Sequence, residues 1–164
     1  MSATSQNPLG RLYPQVKRVI VLSPLLLGLS CVESNTPLCS DSVDRLSVEK
    51  ASCVVFDGDK TLVVYLMGGT VEFPEGSVNG RETASCTAER AVWRLSGIQV
   101  RAVNLLANVN GRKPYYRCNI VSASEIKVQK QMGIVDVQWV PISQLDNLRW
   151  RSDYERQLIL PKIQ

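Results

Sequence analysis

Apolar and polar positions along the chain fall into two regimes, and the change comes near Ser47. Beyond it, "KASCVVFDGDKTLVVYLMGG" sets β-branched runs on both sides of an Asp-Gly turn. That predicts strands over 53–56 and 62–66 joined by the loop 57–60. "TVEFPEGSV" adds a short extended piece ended by Pro74 and Gly76. The period then changes. Ala84, Ala88, Ala91 and Leu95 recur at spacings of four, three and four, the apolar stripe of one helix. It starts at Glu82 or Thr83, and Gly97 stops it as a C-cap glycine does. "IQVRAVNLLANV" and "PYYRCNIVSA" read as strands around the turn Asn110-Gly111, and "IVDVQWVPI" as a further strand ended at Pro141. Ser143 opens a helical turn, and Ser152-x-x-Glu155 is a capping box for a last helix ending before Pro161. Strands, helix, strands, helix, without internal repeats, predict an α+β sandwich.

Residues 1–47 read as an N-terminal extension, and 48–164 as the folded domain. Within the extension, "KRVIVLSPLLLGLSC" (17–31) places two basic residues before about a dozen apolar ones. It is shorter than the roughly 20 apolar residues that a bilayer span needs, so no transmembrane segment is expected. Three readings stand: a packed segment of the fold, a targeting peptide for an organelle such as the mitochondrion, or a secretory signal. The first acid of the chain is Glu33, which suits targeting, whereas Pro8 and Pro14 would break a presequence helix.

Composition narrows the chemistry. With 164 residues, 45% hydrophobic and 21% charged, the chain can bury a core as one globular domain. A net charge of +4 admits an anionic partner. There is no histidine, which excludes His general bases and Ser-His-Asp or Cys-His machinery. The five cysteines contain no CxxC pair, so a zinc site is not expected. They read as free thiols in a reducing, intracellular compartment, mitochondrial or cytoplasmic and nuclear.

One stretch, "EFPEGSVNGRETASCTAERAVWRLSGI", carries a spacing of its own. Gly76, Glu82, Arg90, Val92, Gly97 and Ile98 stand where the Nudix signature places Gly, Glu, Arg, an apolar residue, Gly and an apolar residue. "EFPEGSV" resembles the Pro-Gly-Gly approach to the Nudix helix, and "VQWVPISQL" the late Nudix strand and its following helix. The resemblance covers 48–164 and implies an α/β/α sandwich with a mixed sheet and a central Nudix-type helix. In Nudix hydrolases three helix glutamates hold a divalent metal that activates water against a diphosphate bond. Carboxylates at i, i+3 and i+4 share one helix face, which is why they converge on one cation. The matching positions here are Ala91, Arg94 and Leu95, two that cannot ligate and one that repels a cation. Glu75, Glu82 and Glu89 are the acids left for a displaced site, and Glu89 points roughly 200° away from Ala91 around the helix.

The resemblance therefore implies a catalytically incomplete member, without catalytic residues, metal or cofactor. Its expected role is to bind RNA or nucleotide phosphate, or to serve as a scaffold, with protein partners in a ribonucleoprotein or RNA-processing assembly. A divergent hydrolase of nucleotides, capped RNA or diphosphoinositol compounds is the alternative. Two readings of Arg94 stand: a packing residue on a purely structural helix whose former pocket Trp93 and Leu95 fill, or a cation that takes a phosphate directly in the metal's place, with Arg90 beside it or paired to a neighbour. Arg112, Lys113, Tyr115, Tyr116, Arg117 and Lys127 form the expected RNA surface, rings stacking bases and cations meeting the backbone. "LRWRSDYER" adds Arg149, Trp150 and Arg151.

Overall fold

The computed structural model describes residues 39, 48–122, 125–129 and 131–164, all inside one compact unit, Ser34–Gln164. The apolar stretch 17–31 lies outside the described residues. Among those described, no helix is long and apolar enough to cross a membrane.

The elements are β1 (Lys50–Asp57), β2 (Lys60–Leu66), β3 (Val71–Glu72), β4 (Glu75–Ser77), α1 (Ala84–Ser96), β5 (Gln99–Val109), β6 (Lys113–Ser122), β7 (Ile134–Pro141) and α2 (Asp153–Ile159). A 3₁₀ turn, Ile142–Asn147, follows β7. The strands form one mixed sheet in the order β3-β2-β1-β6-β5, with β4 on β1 and β7 on β2. β1 and β6 run parallel, and the other pairs are antiparallel. The hairpin signals act as expected: Asn110 and Gly111 both take positive φ, 50° and 68°, as a type I′ turn requires.

Alternation along the central strands builds two cores. Ala51, Cys53, Val55, Leu62 and Val64 face α1, whose Ala84, Ala88, Val92 and Leu95 close over them. Val54 and Val63 point the other way, into a second core with Val140, Leu145, Trp150, Ile159 and Leu160. Both faces of the sheet are thus covered, and the expected α/β/α sandwich is the observed one.

The helix ends follow from local chemistry. Thr83 Oγ1 accepts the Cys86 N–H at 3.2 Å, and Gly97 turns left-handed at φ 74° with its N–H on Trp93 O at 2.8 Å. At α2, Ser152 Oγ accepts the Glu155 N–H at 3.3 Å. The other half of the predicted capping box is not made. The Glu155 carboxylate turns away to Lys113 and Tyr115.

The cysteines correct an expectation. Cys53 on β1 and Cys118 on β6 are bonded, as are Cys39 and Cys86, with Cα–Cα separations of 5.8 and 4.8 Å. These four are therefore not free thiols. The first pair is 65 residues apart in sequence and adjacent only because β1 and β6 are neighbours.

Thr83→Ala, which removes the α1 cap, is expected to lower stability by about 1 kcal/mol, and Thr83→Ser to lose much less. Urea denaturation of the two variants checks it.

Candidate functional site

The segment from β4 to α1 is held by one carboxylate. Glu82 accepts from Arg90 Nε and Nη2, both at 2.7 Å, from Thr87 Oγ1 at 2.9 Å and from the Asn79 N–H at 3.3 Å. Arg90 Nη2 also donates to Ser77 O at 2.8 Å, so the pair ties the loop 77–82 to the helix. Burial pushes the Glu82 carboxyl up, but Arg90, Thr87 and the Asn79 N–H outweigh it and hold it below the ordinary range. The same pairing raises Arg90. Gly76 runs close under α1: a Cβ there would lie 3.1 Å from Ala91 Cβ and 3.4 Å from Thr87 O.

Between loop and helix lies an open cavity of about 270 Å³, lined by Glu75, Gly76, Ser77, Asn79, Arg90, Ala91, Arg94, Leu95 and Gln131. Ala91 and Leu95 are its buried apolar floor, and Arg94 is exposed at its edge. Gln131 Nε2 donates to Arg94 O at 3.0 Å. Among the described residues, the Arg94 guanidinium has neither a hydrogen bond nor an ion pair.

This donor set does not fit a hard divalent cation. Ala91 and Leu95 offer no oxygen, and the Arg94 charge opposes one. The displaced acids are engaged as well. Glu82 is filled by Arg90, buried Glu89 accepts the Ala102 N–H at 2.8 Å, and Glu75 pairs with Lys50 at 2.7 Å and with Lys113. The other grouping within ligating reach among the described residues is Cys39, Glu82 and Cys86, whose two sulfurs are bonded to each other.

The expected RNA surface does not assemble. Tyr115 and Tyr116 are 2% and 3% exposed, one in each core, because successive residues of a central strand face opposite helices. Neither ring can stack a base. Trp150 is buried too, against Phe73 with its Nε1–H on Leu145 O at 2.8 Å, and Arg151 is paired with Glu72 at 2.9 Å. Arg90 lines the cavity but is spent on Glu82. Arg112 lies on the exposed surface 3.5 Å from Glu49, and Arg117 stacks 4.3 Å from the Phe56 ring centroid. Lys127 alone joins Arg94 at one helix end, where its N–H donates to Ser96 O at 2.8 Å.

Lys113 is drawn into a second polar cavity of about 260 Å³ with Lys50, Glu72, Glu75, Arg151, Ser152 and Glu155. Its ammonium meets Glu75 and, at 2.9 Å, Glu155, which also accepts from Tyr115 Oη. Burial raises Tyr115, and Glu155 adds to the rise. Burial, then the Glu75 charge, raises Glu72; Glu75 is held low by Lys113 and Lys50 against its own burial. Asn79, Gln131 and this charge network were not anticipated from sequence. Gln131 carries no local signal at all, and Glu155 was hidden behind its reading as a helix cap.

Because the folded-state pKa of Glu82 is depressed, its contribution is present above the ordinary glutamate value of 4.5 and lost as pH falls through and below it. Glu82→Gln is therefore expected to be about 2 kcal/mol less stable than the parent at pH 7. The gap should close as denaturation is repeated at pH 5, 4 and 3. A gap independent of pH would refute the assignment.

No protein-family model matches the sequence, and no curated protein matches it by sequence. Solved structures do share its fold. A Nudix hydrolase from Nitrosomonas europaea superposes with a TM-score of 0.58 at 19% identity, covering 67% of this chain and 84% of that one. A MutT Nudix hydrolase from Burkholderia pseudomallei gives 0.55 at 16%, over 70% and 96% of the two chains. An ADP-ribose pyrophosphatase from Streptococcus suis gives 0.53 at 18%, over 68% and 88%. With the mixed sheet between two helical layers and the Gly76-to-Ile98 loop and helix in place, these superpositions make the chain a Nudix-fold protein.

Proposed function

We propose that this chain is a Nudix-fold binding protein that holds a phosphate group of a nucleotide or an RNA on Arg94, without metal-dependent hydrolysis. The observation that carries the reading is a guanidinium with no partner among the described residues, at the rim of the loop–helix cavity, on the helix face where metal carboxylates stand in Nudix hydrolases. A guanidinium presents a planar fork of donors that matches phosphate oxygens and needs no intervening cation. The cavity's neutral neighbours, Asn79 and Gln131, suit a polar ligand, and its size suits one phosphate-bearing end rather than a long strand. The burial of both tyrosines favours such a point contact over the extended stacked surface. A scaffold role in a larger assembly is compatible with this and rests on the same site.

The divergent-hydrolase reading has less behind it, since Glu75, Glu82 and Glu89 are each committed to protein donors.

The test is calorimetric titration with inorganic phosphate, ADP, and a short RNA bearing either a 5′-phosphate or a 5′-hydroxyl, with and without Mg²⁺, while products are separated by chromatography. Binding is expected without Mg²⁺, weakened by salt, and stronger for the 5′-phosphate RNA. Arg94→Glu should lower affinity roughly tenfold or more, whereas exposed Arg117→Ala should leave it unchanged. Mg²⁺-dependent turnover, or absence of phosphate binding, would overturn the reading.

A further inference from the structure

The two disulfides differ in access and in what they touch. Cys53–Cys118 is sealed in the core, with both residues fully buried. Cys39 is exposed and its partner Cys86 lies in the first turn of α1. Cys86 Sγ stands 3.2 Å from Glu82 Oε1, the oxygen that also receives Arg90 Nε at 2.7 Å.

That contact changes character with redox state. Bonded to Cys39, the Cys86 sulfur has no proton and donates nothing. Glu82 already accepts four donors, from Arg90 twice, Thr87 and Asn79, which fills the roughly four lone-pair sites of a carboxylate. Reduction puts a proton on the sulfur and creates a fifth donor aimed at Oε1. It competes with Arg90 Nε, and Arg90 is what carries Ser77 and the loop that walls the cavity.

We propose that Cys39–Cys86 is a reversible redox modification site, opened by a small thiol reductant, whose reduction loosens the Glu82–Arg90 clamp and weakens anion binding beside Arg94. A reductant thiolate attacks the exposed Cys39 sulfur, forming a mixed disulfide there, and Cys86 leaves with the bonding electrons and takes a proton. A second reductant thiolate then resolves the mixed disulfide, releasing the Cys39 thiol and the reductant as its disulfide. Two electrons and two protons are transferred. The effect on affinity rests on the phosphate-binding reading; the order of reduction and the effect on Arg90 do not.

The experiment uses the full oxidised chain and graded dithiothreitol, with differential alkylation and peptide mass mapping. After any thiol free before reduction is blocked, Cys39 and Cys86 are expected to label first and together, and Cys53 and Cys118 only on unfolding. In parallel, the Arg90 Nε–H resonance is followed by NMR and inorganic phosphate affinity by calorimetry. Reduction should shift that resonance and weaken phosphate binding roughly threefold to tenfold, the worth of about one hydrogen bond. Cys39→Ser, which keeps the Cys86 thiol, should behave as the reduced protein, and Cys86→Ala, which has no sulfur proton, as the oxidised one. Simultaneous reduction of both pairs, an unmoved Arg90 resonance, tighter binding on reduction, or equal losses in the two variants would overturn the proposal. If no form binds phosphate while labelling order and the Arg90 shift hold, the phosphate-binding reading fails and the redox site stands.

Discussion

Glu82 sits one residue before the N-cap of α1, where an irregular loop must be fastened to a helix, and Arg90 reaches back to take both of its oxygens. The bond is bidentate, and both side chains are largely buried, so it is worth more than a surface ion pair and costs more to break. Through its second contact on Ser77 O, the arginine also fixes the loop's height above the helix. The cavity beside Arg94 exists because that loop cannot collapse onto Ala91 and Leu95. Gly76 completes the arrangement: any side chain there would press on Ala91 and on the carbonyl of Thr87.

A comparable device works on the far side of β4. Lys113 is enclosed by Glu75 and Glu155, and Glu155 holds the buried Tyr115 hydroxyl, so α2 is joined to the sheet through charge as well as through Ile159 and Leu160. Glu75 belongs to both regions, lining the loop–helix cavity while its carboxylate is turned to Lys50 and Lys113.

The two departures from the expected site share a cause. Tyr115 and Tyr116, read as a stacking surface between cations, lie in opposite cores because β6 is a central strand with a helical layer on either face. Lys113, read as a backbone contact for RNA, is drawn to carboxylates 38 and 42 positions away in sequence, on β4 and α2. A short window of sequence cannot distinguish a strand with one wet face from one buried on both. It also says nothing of which distant acid will meet a given cation.

Sequence alone determined the order of strands and helices and the ends of α1, since helical periodicity, the Thr83 and Gly97 caps and the Asn110-Gly111 turn are local chemistry acting over a few residues. It also determined that Ala91, Arg94 and Leu95 stand on that helix, which is a matter of residue identity. Tertiary structure decided which charges remain free. Arg90, Lys113 and Arg151 were each taken by an acid outside their own element, and Arg94 has no such partner among the described residues. It likewise decided the cysteine pairing, because sulfur atoms bond by proximity in space, and β1 reaches β6 only through the assembled sheet.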